Sequence, residues 1–179
     1  AWPAAGFPFL RVSAGARAAS LGEAVTALPG TDPFSVNPAA LAATGRRFGF
    51  SHSNWIQGIG HDEISVVTPR GGGHLGLAAQ LFRADGLERR VGPTRDSLGD
   101  FGVYEWALAL AGSKALTPSI DAGVAFKFVR QSIYTEAASG GAADVGITYA
   151  FASSPLRIGA AIRNLGSMSE LDRESTDLP

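Results

Sequence analysis

Three histidines and their acidic neighbours are the residues of this chain whose side chains could do chemistry. His52, His61 and His74 lie in the first half of the sequence, and Asp62 and Glu63 directly follow His61. Imidazole nitrogens and carboxylates are zinc ligands, but no close pair of these residues has the spacing of a ligand pair. Each histidine falls near the end of a predicted strand, which is typical of polar residues at a rim or lumen. We predict no metal and no other cofactor.

Two further motifs lack the additional residues that catalysis or phosphate binding would need. Ser51 directly precedes His52, but catalytic triads are defined by geometry and not by closeness in sequence. Residues 71–73 are three consecutive glycines without the Lys-Ser/Thr of a phosphate-binding loop, so a tight turn explains them. We therefore predict that the chain is not an enzyme.

The longest predicted loop, residues 85–99, carries arginines beside acidic residues. Arg89, Arg90 and Arg95 share this loop with Asp85 and Glu88. A mixture of both charges is typical of a solvated loop. The alternative is a surface on which a partner docks, because binding residues are often found on loops.

Seven strand-like segments follow one another from Arg46 onward. We predict them at residues 46–56, 61–69, 74–84, 100–112, 119–131, 142–152 and 156–165. Tight links follow the second, fourth and sixth segments, and longer polar stretches, at residues 85–99, 132–141 and from 166, follow the third, fifth and seventh. Tight turns on one rim and long loops on the other are typical of a transmembrane β-barrel.

Side chains alternate between an apolar and a polar face along each of these segments. Successive strand residues point to opposite sides, so Phe126 and Phe128 lie on the face opposite Lys127. In a membrane the apolar face would meet lipid and the polar face would line the lumen. The residues predicted to face the lumen are Asp121, Lys127, Asp144, Arg157 and Arg163.

A soluble β-sandwich shows the same alternation with its apolar face turned inward. Three features favour the membrane. The segments are about ten residues long, which matches a tilted transmembrane strand. The polar face consists largely of Gly and Ala, and aromatic residues lie near the segment ends, where an interfacial girdle belongs. These aromatic residues are Trp55, Phe82, Phe101, Tyr149 and Phe151.

Composition excludes several classes of protein. The 179 residues carry a formal net charge of -1, which gives no basic patch for nucleic acid. Charged residues make up only 17% and glycines number 23, which is few charges and many glycines for a soluble domain. No cysteine is present, so thiol chemistry is excluded. No run of about 20 apolar residues could form a transmembrane helix, so membrane residence would require strands.

The first 45 residues differ from residues 46–179, which contain the predicted strands. Residues 16–28 have apolar side chains at helical spacing and precede Pro29-Gly30, which predicts a short helix. Asn37-Pro38-Ala39 is a turn opener, because Asn can bind nearby backbone and Pro fixes φ at the start of a helical turn. We expect one helical turn at residues 38–43. The segment is too short to stand alone and should pack against the strands.

Several stretches of the chain, taken in order, closely resemble the PorV/PorQ family of outer-membrane proteins, which is related to FadL-like fatty-acid transporters. The resemblance covers essentially the whole chain, and it rests on the order and spacing of these motifs. They are AGARAASLGEA at 14–24, NPAALA at 37–42, FSHSNW at 50–55, AGVAFKFVRQ at 122–131, ADVG at 143–146 and RNLG at 163–166.

The resemblance implies a bacterial outer-membrane barrel, in which residues 1–45 form a hatch that fills the periplasmic mouth and residues 46–179 contribute the strands. It also implies two functions. One is a binding or scaffold role in type IX secretion or another surface assembly, with other subunits or secreted cargo as partners. The other is transport of hydrophobic molecules such as fatty acids. A third alternative is a purely structural subunit. The small and charged candidates for the lumen favour the binding or scaffold role.

Seven strands leave two edges without partners. An open sheet edge cannot lie in hydrocarbon, because its N–H and C=O groups find no water there. We expect this chain to be the first half of a longer barrel. The alternatives are closure of one barrel by two or more chains, or a smaller fold.

Overall fold

The fold is all-β, as predicted, and the residues that the structure describes form one antiparallel sheet of seven strands in chain order. A computed structural model describes residues 8–43, 45–55, 58–90, 92 and 97–169. The sheet is not closed in this part of the chain, because β1 and β7 are its two edges. The strands are β1 Arg47–Asn54, β2 Gly60–Arg70, β3 Gly73–Glu88, β4 Asp100–Thr117, β5 Ile120–Ile133, β6 Glu136–Ala150 and β7 Arg157–Met168.

The fifth connection is much shorter than predicted. Instead of a long loop at residues 132–141, β5 and β6 are joined by Tyr134 and Thr135 alone, with Tyr134 at a left-handed φ of 54°. Ladder pairing continues outward through Arg130 opposite Ser139 to Ile133 opposite Glu136. The polar side chains of this stretch predicted a loop. Polar side chains show only that the stretch contacts water, and main-chain hydrogen bonding between strands can continue through them. The third connection is long, as predicted.

The N-terminal segment, residues 8–43, contains three short helical pieces. These are a 3-10 helix at Pro8–Arg11, α1 at Ala16–Ser20 and a second 3-10 helix at Pro38–Ala43. The last piece confirms the predicted turn. The predicted helix at residues 16–28 is wrong beyond Ser20, because Gly22 and Glu23 take φ values of 59° and 62° and the N–H of Glu23 bonds back to the carbonyl of Ala18. No helix among the described residues is long and apolar enough to cross a membrane.

The N-terminal segment lies on one face of the sheet, which we call the covered face; the opposite face is the open face. Large apolar side chains of the segment pack on small residues of the strands. Phe34 and Leu41 contact Val67 together with alanines of β3, β4 and β5. Phe9 and Leu10 pack on Ala107 and Val129. The hydrophobic core therefore lies between segment and sheet.

Two paired glycines allow the second 3-10 helix to approach the sheet closely. Gly123 on β5 lies opposite Gly146 on β6. A Cβ atom on Gly123 would overlap the backbone of Pro38, and one on Gly146 would overlap the side-chain oxygen of Asn37. Only glycine fits at either position with the segment in place.

Candidate functional site

A buried ion pair is the electrostatic centre of the covered face. Lys127 on β5 and Asp144 on β6 approach to 2.6 Å between Nζ and Oδ2, and both side chains are almost fully buried. Lys127 Nζ also donates to Asn164 Oδ1 at 3.1 Å. Both charges need these partners, because an unpaired charge is very costly away from water.

A β-bulge in β7 completes this cluster. Asp144 faces two residues of β7, Arg163 and Asn164, because the register shifts between the pairs on either side. Asn164 has a left-handed φ of 57°, and its N–H donates to Asp144 Oδ1 at 2.7 Å. The bulge therefore brings a backbone donor and a side-chain acceptor to the same ion pair. Asn164 was not predicted as a site residue, although Asn tolerates this conformation better than most residues.

Arg163 connects the ion-pair cluster to the N-terminal segment. Its Nη1 donates to the carbonyl oxygen of Ser35 at 2.6 Å. The hydroxyl of Ser35 in turn accepts from Gln80, which also binds Glu63. The covered face thus holds a polar network that ties the segment to β2, β3 and β7. Neither Gln80 nor Glu63 was predicted to belong to it.

The five residues predicted to face the lumen do not form one cluster. Lys127 and Asp144 form an ion pair, and Arg163 lies opposite Asp144 in the bulge. Asp121 and Arg157 lie apart from them, near the tight-turn ends of β5 and β7. Asp121 is half-buried and lies 3.5 Å from the hydroxyl of Thr148, whereas Arg157 is exposed.

The predicted hatch turn is fixed by Asn37, which is fully buried. Its Oδ1 accepts from the N–H of Ala39 at 3.0 Å and so caps the 3-10 helix that Pro38 begins. Its Nδ2 donates to the carbonyls of Thr26 at 2.7 Å and Ile147 at 3.3 Å. One side chain therefore joins the turn, the preceding loop and strand β6.

The open face is a continuous apolar surface. On β5 the side chains of Val124, Phe126 and Phe128 are 45%, 63% and 47% exposed. Their neighbours on the other six strands are equally uncovered. They are Phe48, Phe50, Ile64, Val66, Leu75, Leu77, Leu108, Leu110, Val145, Ile147, Ile158 and Ile162. A patch that crosses all seven strands far exceeds the few hundred square ångströms of an ordinary soluble surface.

Charged residues border this apolar surface near the long-loop ends of the strands. His52 Nδ1 lies 2.5 Å from Asp62 Oδ1, and Arg83 lies 3.6 Å from the other oxygen of Asp62. Arg130 on β5 approaches the hydroxyl of Ser139. These side chains are partly exposed, so the charges at this border meet water.

The three histidines are not brought together. His61 is fully buried beside Phe82, with ring centroids 5.9 Å apart. His52 lies at the same strand ends but is exposed, and His74 is half-buried near the opposite, tight-turn ends. No group of three metal-ligating side chains exists among the described residues.

The two described arginines of the predicted partner loop bind side chains close to them. Arg89 lies over the ring of Tyr134 at 5.0 Å and donates to its hydroxyl at 3.1 Å. Arg90 pairs with Glu88. Arg95 lies outside the described residues. Arg89 thus joins the long third connection to the tight fifth one.

The space between segment and sheet includes a small cavity with charged residues in its wall. A cavity of about 260 Å³ lies there, lined by Asp32, Arg47, Glu63 and Ser65 among others. Burial raises the pKa of the Asp32 carboxyl, while a hydrogen bond from Ser13 and the charge of Arg47 act in the opposite direction. By contrast, an apolar groove of about 630 Å³ lies on the open face, between Phe48 and Phe128.

Comparison of the chain with protein-family models, with curated proteins and with solved structures found no match. Function is therefore inferred from the two faces of the sheet.

Proposed function

We propose that this chain belongs to an outer-membrane β-barrel of the PorV/PorQ type, with its open face in lipid and its N-terminal segment as a plug. In this role it acts as a binding or scaffold component of a secretion or surface assembly. The observation that carries the proposal is the apolar open face, which water would solvate poorly and hydrocarbon would solvate well.

The dimensions of the apolar surface agree with a bilayer. On β5 the open face is free of charge from Ile120 to Phe128, and Arg130 follows. Nine residues is about the length with which a tilted strand crosses a hydrocarbon core. Buried Lys127 and Asp144 lie within the same stretch on the covered face, where neither charge meets lipid.

The way in which the covered face is filled favours a scaffold over a transporter. Phe9, Leu10, Phe34 and Leu41 have 2% or less of their surface exposed, because the sheet packs against them. The apolar side chains that could have held a fatty acid are therefore occupied within the chain. A cavity between segment and sheet has charged residues in its lining, among them Asp32, Arg47 and Glu63.

Membrane insertion can be tested with tryptophan fluorescence. The purified protein is reconstituted into phospholipid vesicles whose acyl chains carry bromine near the bilayer centre. Bromine should strongly quench the indole of a Phe126→Trp variant and weakly quench that of Leu116→Trp, after subtraction of the parent signal. Leu116 is the matched control, since it is 61% exposed at the tight-turn end of β4. Equal and negligible quenching of both variants would overturn the membrane proposal.

Purification in mild detergent, followed by native mass spectrometry, separates the scaffold from the transporter. We expect co-purifying protein subunits or cargo and no tightly held fatty-acyl chain. The charge reversal Arg89→Glu should weaken the protein complex if the long third connection forms the docking surface. Arg17→Glu, in the exposed part of α1, is the control. A retained fatty acid with no protein partner would instead support transport.

A further inference from the structure

Two basic side chains lie on the open face at the tight-turn border of the apolar surface. Arg70 ends β2 and Lys114 lies near the end of β4, and both are exposed. The two residues are at one level of the sheet, because each is the register partner of Gly73 on the strand between them. Two strand spacings separate their Cα atoms by about 10 Å.

The gap between these two cations is empty of side chain. Gly73 contributes no Cβ, and a Cβ there would overlap the carbonyl oxygen of Ser113. Both side chains can reach across such a gap toward one shared anion. A phosphate group has the size and charge to be that anion.

Neither cation has an acidic partner among the described residues, whereas Arg83 at the opposite border lies 3.6 Å from Asp62 and Arg90 pairs with Glu88. The two borders therefore differ. At the long-loop border Asp62 and Glu88 offset Arg83 and Arg90, and Arg130 contacts the hydroxyl of Ser139. The tight-turn border leaves a local charge of about two positive units with no acidic side chain beside it among the described residues. A ligand for that border should bring negative charge.

An apolar groove begins beside the two cations. A cavity of about 450 Å³ has Arg70 and Lys114 in its lining, together with Leu75, Val124 and Val145 as apolar walls. Its floor is low because Gly112 and Ala122 have little or no side chain. The groove leads toward the larger one lined by Leu77, Leu110 and Phe126. Charge at one end and apolar walls along the length fit an amphiphile.

We propose that Arg70 and Lys114 hold the phosphate of an anionic phospholipid whose acyl chain lies in the groove over Gly112 and Ala122. This proposal rests on the membrane role proposed above, and it identifies one lipid class and one site within it. A basic residue near an anionic membrane surface contributes about 1 kcal/mol. Loss of one cation should therefore weaken the preference for anionic lipid about 5-fold, and loss of both about 30-fold.

The test compares lipids retained by the protein. The protein is reconstituted with an equal mixture of phosphatidylglycerol and phosphatidylcholine of the same acyl chains, then extracted gently, and bound lipids are counted by native mass spectrometry. We expect phosphatidylglycerol to be enriched on the parent protein. The enrichment should be lost in Arg70→Gln/Lys114→Gln and kept in Arg83→Gln/Arg130→Gln, which removes the same charge at the opposite border.

Three outcomes would overturn the proposal. The first is no enrichment of phosphatidylglycerol on the parent protein, a result that needs no variant to fold. The second is equal loss in both double variants. The third is displacement of the lipid by millimolar inorganic phosphate, which would indicate an ion site without a role for the groove. An Ala122→Phe variant, which fills the groove and leaves both charges, should also reduce retention.

Failure of this proposal differs visibly from failure of the membrane proposal. A protein that inserts into vesicles by the bromine test but shows no lipid preference refutes only the phospholipid site. A protein that does not insert refutes both.

Discussion

At the scale of single residues, the buried ion pair has the largest predicted effect. Asp144→Ala leaves the Lys127 ammonium buried and without a countercharge, and breaking a buried pair in this way costs about 3–5 kcal/mol. The double variant Lys127→Met/Asp144→Leu removes both charges and should be close to the parent in stability. The measurement is the free energy of unfolding in urea. An Asp144→Ala variant as stable as the parent would show that the pair is solvated.

Asn37 is the second residue whose substitution should have a measurable effect. Asn37→Ala leaves the N–H of Ala39 and the carbonyls of Thr26 and Ile147 without this partner, and each unsatisfied buried group costs about 1–3 kcal/mol. Hydrogen exchange should speed up in the N-terminal segment, and the strands should keep their protection. The exposed Asn54→Ala is the control. Exchange that speeds up equally in the strands would contradict a local role for Asn37.

Sequence reasoning found some of these residues because their signals are local. The Asn-Pro dipeptide favours a turn without help from distant residues, so the 3-10 helix at Pro38–Ala43 could be predicted. The alternation of Phe126, Lys127 and Phe128 likewise fixes their faces once a strand is assumed. Asn164 could not be found in this way, because its role depends on a register shift against β6.

At the scale of elements, docking of the N-terminal segment depends on glycines of the sheet. Gly146→Ala places a methyl group where Asn37 Oδ1 lies and should displace the segment. Gly141→Ala on the same strand is the matched control, because its Cβ would make an ordinary contact at 3.7 Å. Limited proteolysis should cleave residues 8–43 faster in the first variant. Equal cleavage of both variants would show that the segment is held elsewhere.

Docking of the segment should also depend on pH through Asp32. Burial raises the pKa of this carboxyl above its ordinary value of 3.8, so the docked state holds the proton more tightly than the released state. Docking is therefore strongest at low pH and weakens as pH rises through the raised pKa. Asp32→Asn keeps an acceptor oxygen for Ser13, and should flatten the dependence. Segment protection against protease, measured from pH 4 to 8, is the readout.

The boundaries of elements were harder to predict than their number. All seven strands are found where alternation indicated them, but β5 and β6 continue through polar residues to a two-residue turn. Beyond α1, the helical spacing of Leu21, Val25 and Leu28 predicts a longer helix than exists. Val25 and Leu28 do pack inward, but the left-handed residues before them redirect the chain.

At the scale of the whole molecule, substitutions on the open face show whether that face lies in a membrane or in water. Phe126→Arg near the centre of the apolar surface should cost about 2–4 kcal/mol in a bilayer, and Leu116→Arg near its border about 0–1 kcal/mol. In water the first substitution replaces an exposed ring with a charge and should cost little. The measurement is folding into vesicles compared with folding in detergent-free buffer. Equal tolerance of both variants in vesicles would contradict a lipid-facing position.

The covered face offers no water-exposed position at which an arginine substitution could serve as the control for Phe126→Arg. Thr148 lies on that face but is 4% exposed, so an arginine there would meet the packed segment and not a water-filled lumen. The sequence could indicate which face is polar. It could not indicate that the polar face is filled, because the filling residues come from a separate part of the chain.

The contacts of the N-terminal segment also order the events of folding. Arg163 reaches Ser35 across 128 residues of sequence, and Asn37 reaches Ile147 across 110. Closing loops of this length is slow and entropically costly until the intervening hairpins have formed. The segment precedes the strands in the chain but takes its place after they have formed, and Phe9, Leu10, Phe34 and Leu41 remain exposed until then. A chaperone that binds exposed apolar segments would have this segment as its longest-lived target.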